Sequence, residues 1–122
     1  MLAASRCARR VFGSFVALSA TVEAIAAEAE VVLVCAGKLG RFALEDAACA
    51  GTIAARLVAR GARVEGDEAR AALTLACDDA DAVRALVEGA DHGRWLCGLG
   101  PGYAADVAFC ATLDARAETA GW

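Results

Sequence analysis

The spacing of apolar positions changes along the chain, and each change marks an expected element. Two short runs, VFGSF at 11–15 and VVLVC at 31–35, are largely apolar and partly β-branched, as strands in a helix-covered parallel sheet are. Between them an alanine-rich stretch predicts a helix from about Ser19 to Ala29, with Ser19 or Thr21 as its cap. A glycine-bearing turn at 36–41 leads to a second helix, from about Phe42 to Arg60, which Gly61 closes. Its apolar stripe runs through Phe42, Cys49, Ile53 and Leu57. A third helix opens at Gly66 and Asp67 and carries Ala69, Ala72, Leu73 and Ala76 at helical spacing, and a fourth covers about Asp81 to Val87. Asp91 is expected to cap a fifth, with His92, Trp95, Leu96 and Leu99 on one face. Glycines around Pro101 predict a break, 106–114 fits helix or strand, and the tail from Ala115 is expected to be loose.

This order predicts an α/β fold: a partial three-layer α/β/α arrangement with a small, mostly parallel sheet, in one domain spanning residues 1–122. Two strands are too few to bury both faces of such a sheet. The expected partner is therefore a further copy of the chain, as a homo-oligomer, or a missing N-terminal half of the same domain.

Charge narrows the ligands. A net charge of -4 argues against nucleic acid, whose backbone needs a basic surface. Arg6, Arg9 and Arg10 gather near the start, and Lys38 and Arg41 bracket the turn. Arg9 and Arg10 followed by VFGSFVALSA imitate a secretory signal, but the apolar run is short and suits a strand and helix equally. No segment is long enough to cross a membrane as a helix. The six cysteines fall in no Cys-x-x-Cys or zinc spacing and sit beside alanine, valine or leucine, which suits buried free thiols in a reducing cytoplasm.

The chemistry concentrates at 35–46. A turn entering a helix presents backbone N–H groups without internal partners, a natural anion site. Gly37 and Gly40 permit the backbone geometry, while Lys38 and Arg41 add positive charge, which points to a small anionic phosphoester. Asp46 lies on the apolar stripe with Glu45 beside it, and an acid on a buried face needs a partner. Two readings stay open: stabilisation by the helix dipole, about 0.3–1 kcal/mol, or ligation of Mg²⁺. The spacing of Cys35 and Arg41 also suits a thiol phosphatase loop, although Val34 and Phe42 replace its usual flanking histidine and hydroxyl residue. His92 is the single histidine, so any imidazole acid or base is this residue.

The stretch VCAGKLGRFALEDAACAG at 34–51 resembles the central signature of 2-phosphosulfolactate phosphatases. VFGSF, the His92 and Gly93 pair, and DVAFCATLD at 106–114 resemble further segments of that family, in the same order. The resemblance implies a Mg²⁺-dependent phosphatase that converts 2-phospho-3-sulfolactate to 3-sulfolactate, a step of coenzyme M biosynthesis. It implies Gly37, Lys38, Gly40 and Arg41 at the substrate oxyanions, Glu45 and Asp46 at the metal, and His92 with Asp46 in the chemistry. Family members are longer, and their Asp-Val-Leu-Arg-Ala-Thr-like and Thr-Asn-Gly-Thr-like segments have no counterpart here. The resemblance is thus to the C-terminal half of the family domain. Ala90 also replaces a serine expected two residues before the histidine.

Overall fold

The computed structural model describes residues 9–77 and 79–121. Arg6 and Cys7 lie outside the described residues. Among the described residues six α-helices follow a 3-10 turn at Phe15–Ala17: α1 Leu18–Ile25, α2 Leu44–Val58, α3 Asp67–Thr74, α4 Ala80–Gly89, α5 Asp91–Cys97 and α6 Pro101–Cys110.

Helix α2 is the axis of the fold because its buried positions serve two clusters. Ala48 faces Phe15, Val83, Val87, Val107 and Ala111, which joins the 3-10 turn, α4 and α6. Ile53 and Leu57 face Leu18, Val22 and Ile25 of α1. Half-buried Cys49 and Leu113 border both clusters and make them continuous. Helix α3 buries none of its own residues, yet it packs on α2 more intimately than any other element does. Gly51 explains this: a Cβ there would lie 1.9 Å from the Ala72 carbonyl oxygen, so only glycine allows the two backbones to approach. Buried Thr52 secures the same seam, accepting the Cys77 N–H at 3.0 Å with its hydroxyl facing the Ala48 and Cys77 carbonyls.

The helical expectations hold in type and shift at their ends. Asp79 caps α4 by accepting from the Ala82 N–H. Asp91 does not cap α5; it lies inside the helix and its carboxylate pairs with Arg94. The 106–114 stretch is resolved as the second half of α6 and the turn beyond it, and α6 begins at the expected break because proline is pre-organised for a first helical position. The buried side of α5 carries Gly93, with Leu96 and Cys97 half-buried beside it, while Trp95 and Leu99 are exposed. Ser19 is capped rather than capping: Asp114 accepts its N–H at 2.6 Å and its hydroxyl at 2.7 Å.

The tail is not loose. The Asp114 N–H donates to Phe15, Arg116 to Val16, and Phe12 to Ala120, so residues 114–121 run back along 11–16. An antiparallel bridge between Val11 and Gly121 ends this pairing.

The sheet is where expectation and structure part. Among the described residues there is no strand, only two isolated bridges, both antiparallel, so neither a parallel sheet nor three layers is formed. Residues 31–35 are not a buried strand: Val32, Leu33 and Val34 are exposed by 55%, 37% and 53%. A strand gains its hydrogen bonds from neighbours, and among the described residues no backbone bond reaches 31–36. The cysteines depart similarly. All five described thiols are free, but Cys35 and Cys110 are exposed and the others half-buried. The stripe of α2 begins one turn later than expected, since Phe42 is 76% exposed and precedes the helix.

Candidate functional site

Local chemistry shapes the turn before α2 into a tight hairpin. The Lys38 N–H donates to the Arg41 carbonyl at 3.0 Å and the Arg41 N–H returns to Lys38 at 2.9 Å. Between them Leu39 and Gly40 both have positive φ, 52° and 74°, which defines a primed two-residue turn. Gly37 is also left-handed, and a Cβ there would meet the Arg41 carbonyl oxygen at 2.6 Å. Its N–H donates to Asp46 Oδ2 at 2.7 Å, latching the turn to the first turn of α2.

This latch answers the question raised by an acid on the apolar stripe: half-buried Asp46 is held by a backbone amide. It also revises the expected oxyanion cradle. The Gly37, Lys38 and Arg41 amides are engaged within the hairpin or with Asp46 and do not await a ligand. What remains for an anion is side-chain charge and the start of α2, where no side chain caps the helix.

Three sequence-expected residues converge through a fourth that was read only as packing. His92 Nδ1 lies 3.4 Å from Glu45 Oε1, joining α5 to the first turn of α2. The His92 ring stacks at a tilt on Trp95, 5.9 Å between centroids. The Lys38 ammonium sits 3.9 Å from the centre of the same indole, a cation–π contact that brings the turn onto α5. Trp95 follows His92 by three residues, so one helix turn presents both rings to the same side. That spacing was the signal available in the sequence. Gly93 makes the placement possible, since a Cβ there would lie 1.9 Å from the Val87 carbonyl oxygen and force α5 off α4.

Arg41 is exposed and has no ion pair among the described residues, so its guanidinium is available. Gly40 has open space where a side chain would be. At Cys35 partial burial and the Asp46 carboxylate push the thiol above its ordinary value. Cys49 is pushed up to about 12, by burial first and then by Asp46. Both shifts oppose thiolate formation at neutral pH. A hollow of about 700 Å³ lies elsewhere, between α1 and the tail, lined by Ser19, Glu23, Asp114, Arg116 and Thr119 among others. Its Ser19 and Asp114 are occupied by the α1 cap, so it reads as a seam of the fold.

Oxygen donors fit a hard cation better than a closed cage does. Among the described residues no group of three or more His, Cys, Asp and Glu side chains could hold a metal. Glu45 and Asp46 are adjacent half-buried carboxylates, each with one oxygen outside the contacts described above. That donor set suits Mg²⁺, which takes one or two carboxylates and completes its shell with water and phosphate oxygens.

The fold and cluster define a helix-rich domain in which Lys38, Glu45, His92 and Trp95 meet near the start of α2. Comparison with known proteins gives its lineage. A family profile described as 2-phosphosulpholactate phosphatase matches residues 1–117, and the chain belongs to that family. It is 45% identical over 86 residues to a probable 2-phosphosulfolactate phosphatase of Synechococcus sp. (strain JA-2-3B'a(2-13)), covering 70% of this chain and 36% of the relative. It is 41% identical over 106 residues to one from Synechococcus sp. (strain JA-3-3Ab), covering 85% and 44%. A Thermotoga petrophila relative with the same name is 36% identical over 104 residues, with the same two shares. The match thus takes up 36% to 44% of the length of these relatives.

Proposed function

We propose that this chain carries part of the active site of a phosphoric monoester hydrolase, whose substrate is 2-phospho-3-sulfolactate and whose products are 3-sulfolactate and phosphate, within coenzyme M biosynthesis. The observation that carries the reading is the convergence of Lys38, Glu45 and His92 beside the Gly37–Asp46 latch. Lys38 and the free Arg41 guanidinium supply charge for a dianionic phosphate and a sulfonate, with Arg41 able to bind two oxygens at once. Gly40 leaves room for a ligand to approach the turn. Glu45 and Asp46 would hold Mg²⁺, which when bound neutralises charge on the phosphoryl oxygens and acidifies water. His92, oriented by Glu45 at 3.4 Å, is placed to hand a proton to the leaving alkoxide. Burial and the Asp46 carboxylate raise the Cys35 thiol pKa, which disfavours the thiolate that a nucleophile needs.

No helix among the described residues is long and apolar enough to cross a membrane. Free thiols suit a reducing cytoplasm, which we propose as its setting.

The test is phosphate release from 2-phospho-3-sulfolactate with and without Mg²⁺, by the chain alone and mixed with the portion of the Thermotoga maritima relative that lies outside the match. Mg²⁺-dependent release that Arg41→Ala lowers by about a hundredfold and that Cys35→Ser leaves intact supports the reading. Absence of release in every combination, while the intact relative turns over, sinks it.

A further inference from the structure

The hairpin before α2 sets its two cations on one face. Lys38 and Arg41 exchange both backbone hydrogen bonds, at 3.0 and 2.9 Å, and form an antiparallel bridge. Residues paired in this way stand directly opposite, with α-carbons about 5.5 Å apart and side chains leaving on the same side. Two like charges set side by side are unfavourable by themselves. Neither has an ion pair among the described residues. Arg41 is exposed, whereas Lys38 is half-buried. In place of a carboxylate, Lys38 has the Trp95 indole, its ammonium 3.9 Å from the ring centre. Trp95 is 55% exposed, while α5 turns Gly93, Leu96 and Cys97 inward, so the ring does not serve the core. A lysine stem ordinarily moves freely with its ammonium in water. Seated on the ring, it has given up that freedom before any ligand arrives, which favours binding.

We propose that Trp95 is a positioning residue that holds Lys38 beside Arg41, and that the pair so held is a seat for a doubly charged tetrahedral oxyanion. The cross-strand placement carries the charge preference, since a dianion neutralises both cations and a monoanion leaves one opposed to its neighbour. An ammonium has three N–H donors, and an indole face beneath it leaves donors for oxygen. Arg41 adds a planar pair of donors from the opposite strand. The two nearby acids are engaged elsewhere: Glu45 lies on His92, and Asp46 accepts from the Gly37 N–H. The indole also stacks on the His92 ring, 5.9 Å between centroids, so one side chain spaces the oxyanion seat from the imidazole. The inference rests on the phosphatase reading in one respect: it assigns this seat to the phosphoryl group of the substrate and not to its sulfonate.

Lys38 is the one lysine of the chain, so 13C-lysine labels this side chain alone and NMR can follow it. In the parent its ε-protons should be moved upfield by the indole ring current, and Trp95→Leu should return them to the free-lysine position. Titration at low ionic strength with sulfate, a dianion, should shift the signal saturably. Methanesulfonate, a monoanion, should bind about tenfold more weakly. Trp95→Phe keeps an aromatic face and should bind sulfate within about threefold of the parent, whereas Trp95→Leu should lose about tenfold with its helicity unchanged. A merely structural role would not separate these two variants, since both keep an apolar side chain at an exposed position. Four results overturn the inference: an unshifted Lys38 signal in the parent, no saturable response to sulfate, equal affinity for the two anions, or equal affinity of the Leu and Phe variants. Should Trp95→Leu not fold, the parent signal, the two anions and Trp95→Phe still decide. Sulfate binding as described, without phosphate release in the assay above, would defeat the phosphatase reading and leave this seat standing. Phosphate release unchanged by Trp95→Leu would overturn the positioning role alone.

Discussion

Helix α2 and the arm before it, residues 31–42, are neighbours in sequence and rich in apolar residues, yet the structure treats them oppositely. The helix satisfies its backbone within itself and needs only one face covered, which α1, α3, α4 and α6 provide between them. The arm closes only the Lys38–Arg41 hairpin within itself, its strand-like part at 31–35 needs partners from elsewhere, and Val32, Leu33, Val34, Leu39 and Phe42 remain exposed. Apolar pattern thus predicted burial equally well in both places, but burial followed only where the hydrogen-bond partners were local.

The comparison can be broken most violently at the α2–α3 seam. Gly51→Ala should gain up to about 1 kcal/mol in helix propensity, but its Cβ would stand 1.9 Å from the backbone oxygen of Ala72, which cannot rotate aside. The clash wins, and a net loss of about 3 kcal/mol is expected by urea unfolding. The arm, which does not rest on α3, should keep its exchange behaviour until the body unfolds. Neutral behaviour of Gly51→Ala would show that the seam yields and that the body is less closely packed than the arm is bare.

Thr52→Val tests the same body by chemistry at constant volume. It deletes the acceptor of the half-buried Cys77 N–H, at 3.0 Å, and the donor facing Ala48 and Cys77. A loss of about 2 kcal/mol is expected, read as a lower denaturation midpoint with unchanged slope. A Thr52→Ser variant should recover most of it.

Much of the helical body was legible because its signals are local. Gly61, Gly66 and Pro101 punctuate the chain near where helices begin and end, and the 3.6-residue period does the rest. The arm's strand was legible as a pattern but not as a structure, since a strand's existence depends on residues elsewhere. In the site, the acid pair and His92 were readable by type. Trp95 was missed as the residue joining Lys38 to His92 because an aromatic at helical spacing ordinarily signals core packing. The Asp114 cap on Ser19 was hidden for a different reason: the two residues lie far apart in sequence, whereas capping rules look only a few residues ahead.

That cap supplies a pH-dependent test of how the body is closed. Burial works to raise the Asp114 pKa, but the Ser19 backbone and hydroxyl bonds and the Arg56 charge outweigh it and hold the carboxyl below its ordinary value. A lowered folded pKa means that the stabilisation is complete above the ordinary value and is lost as pH falls through the folded one. Asp114→Ala should therefore cost about 1 kcal/mol near neutrality, and the difference from the parent should shrink as pH falls below the ordinary carboxylate range. A penalty that persists unchanged in acid would mean that the carboxylate's charge is not what closes α1.

The smallest expected effect sharpens the arm's side of the comparison, because it changes the arm without touching the body. Leu39 has φ 52° in the first central position of the primed turn and is 92% exposed, so it bears the left-handed conformation and gains nothing from burial in return. Asparagine adopts that conformation more readily, and Asn-Gly is the favoured pair for this turn. Leu39→Asn should stabilise the hairpin by about 0.5–1 kcal/mol, seen as slower exchange of the Lys38 and Arg41 amides that close it. The global unfolding midpoint should move little, since residues 36–42 lie outside the helices that form the core clusters. If the substitution instead loosened those amides, the side chain of Leu39 would be held by something other than the turn itself, and the arm would be less bare than its exposure states.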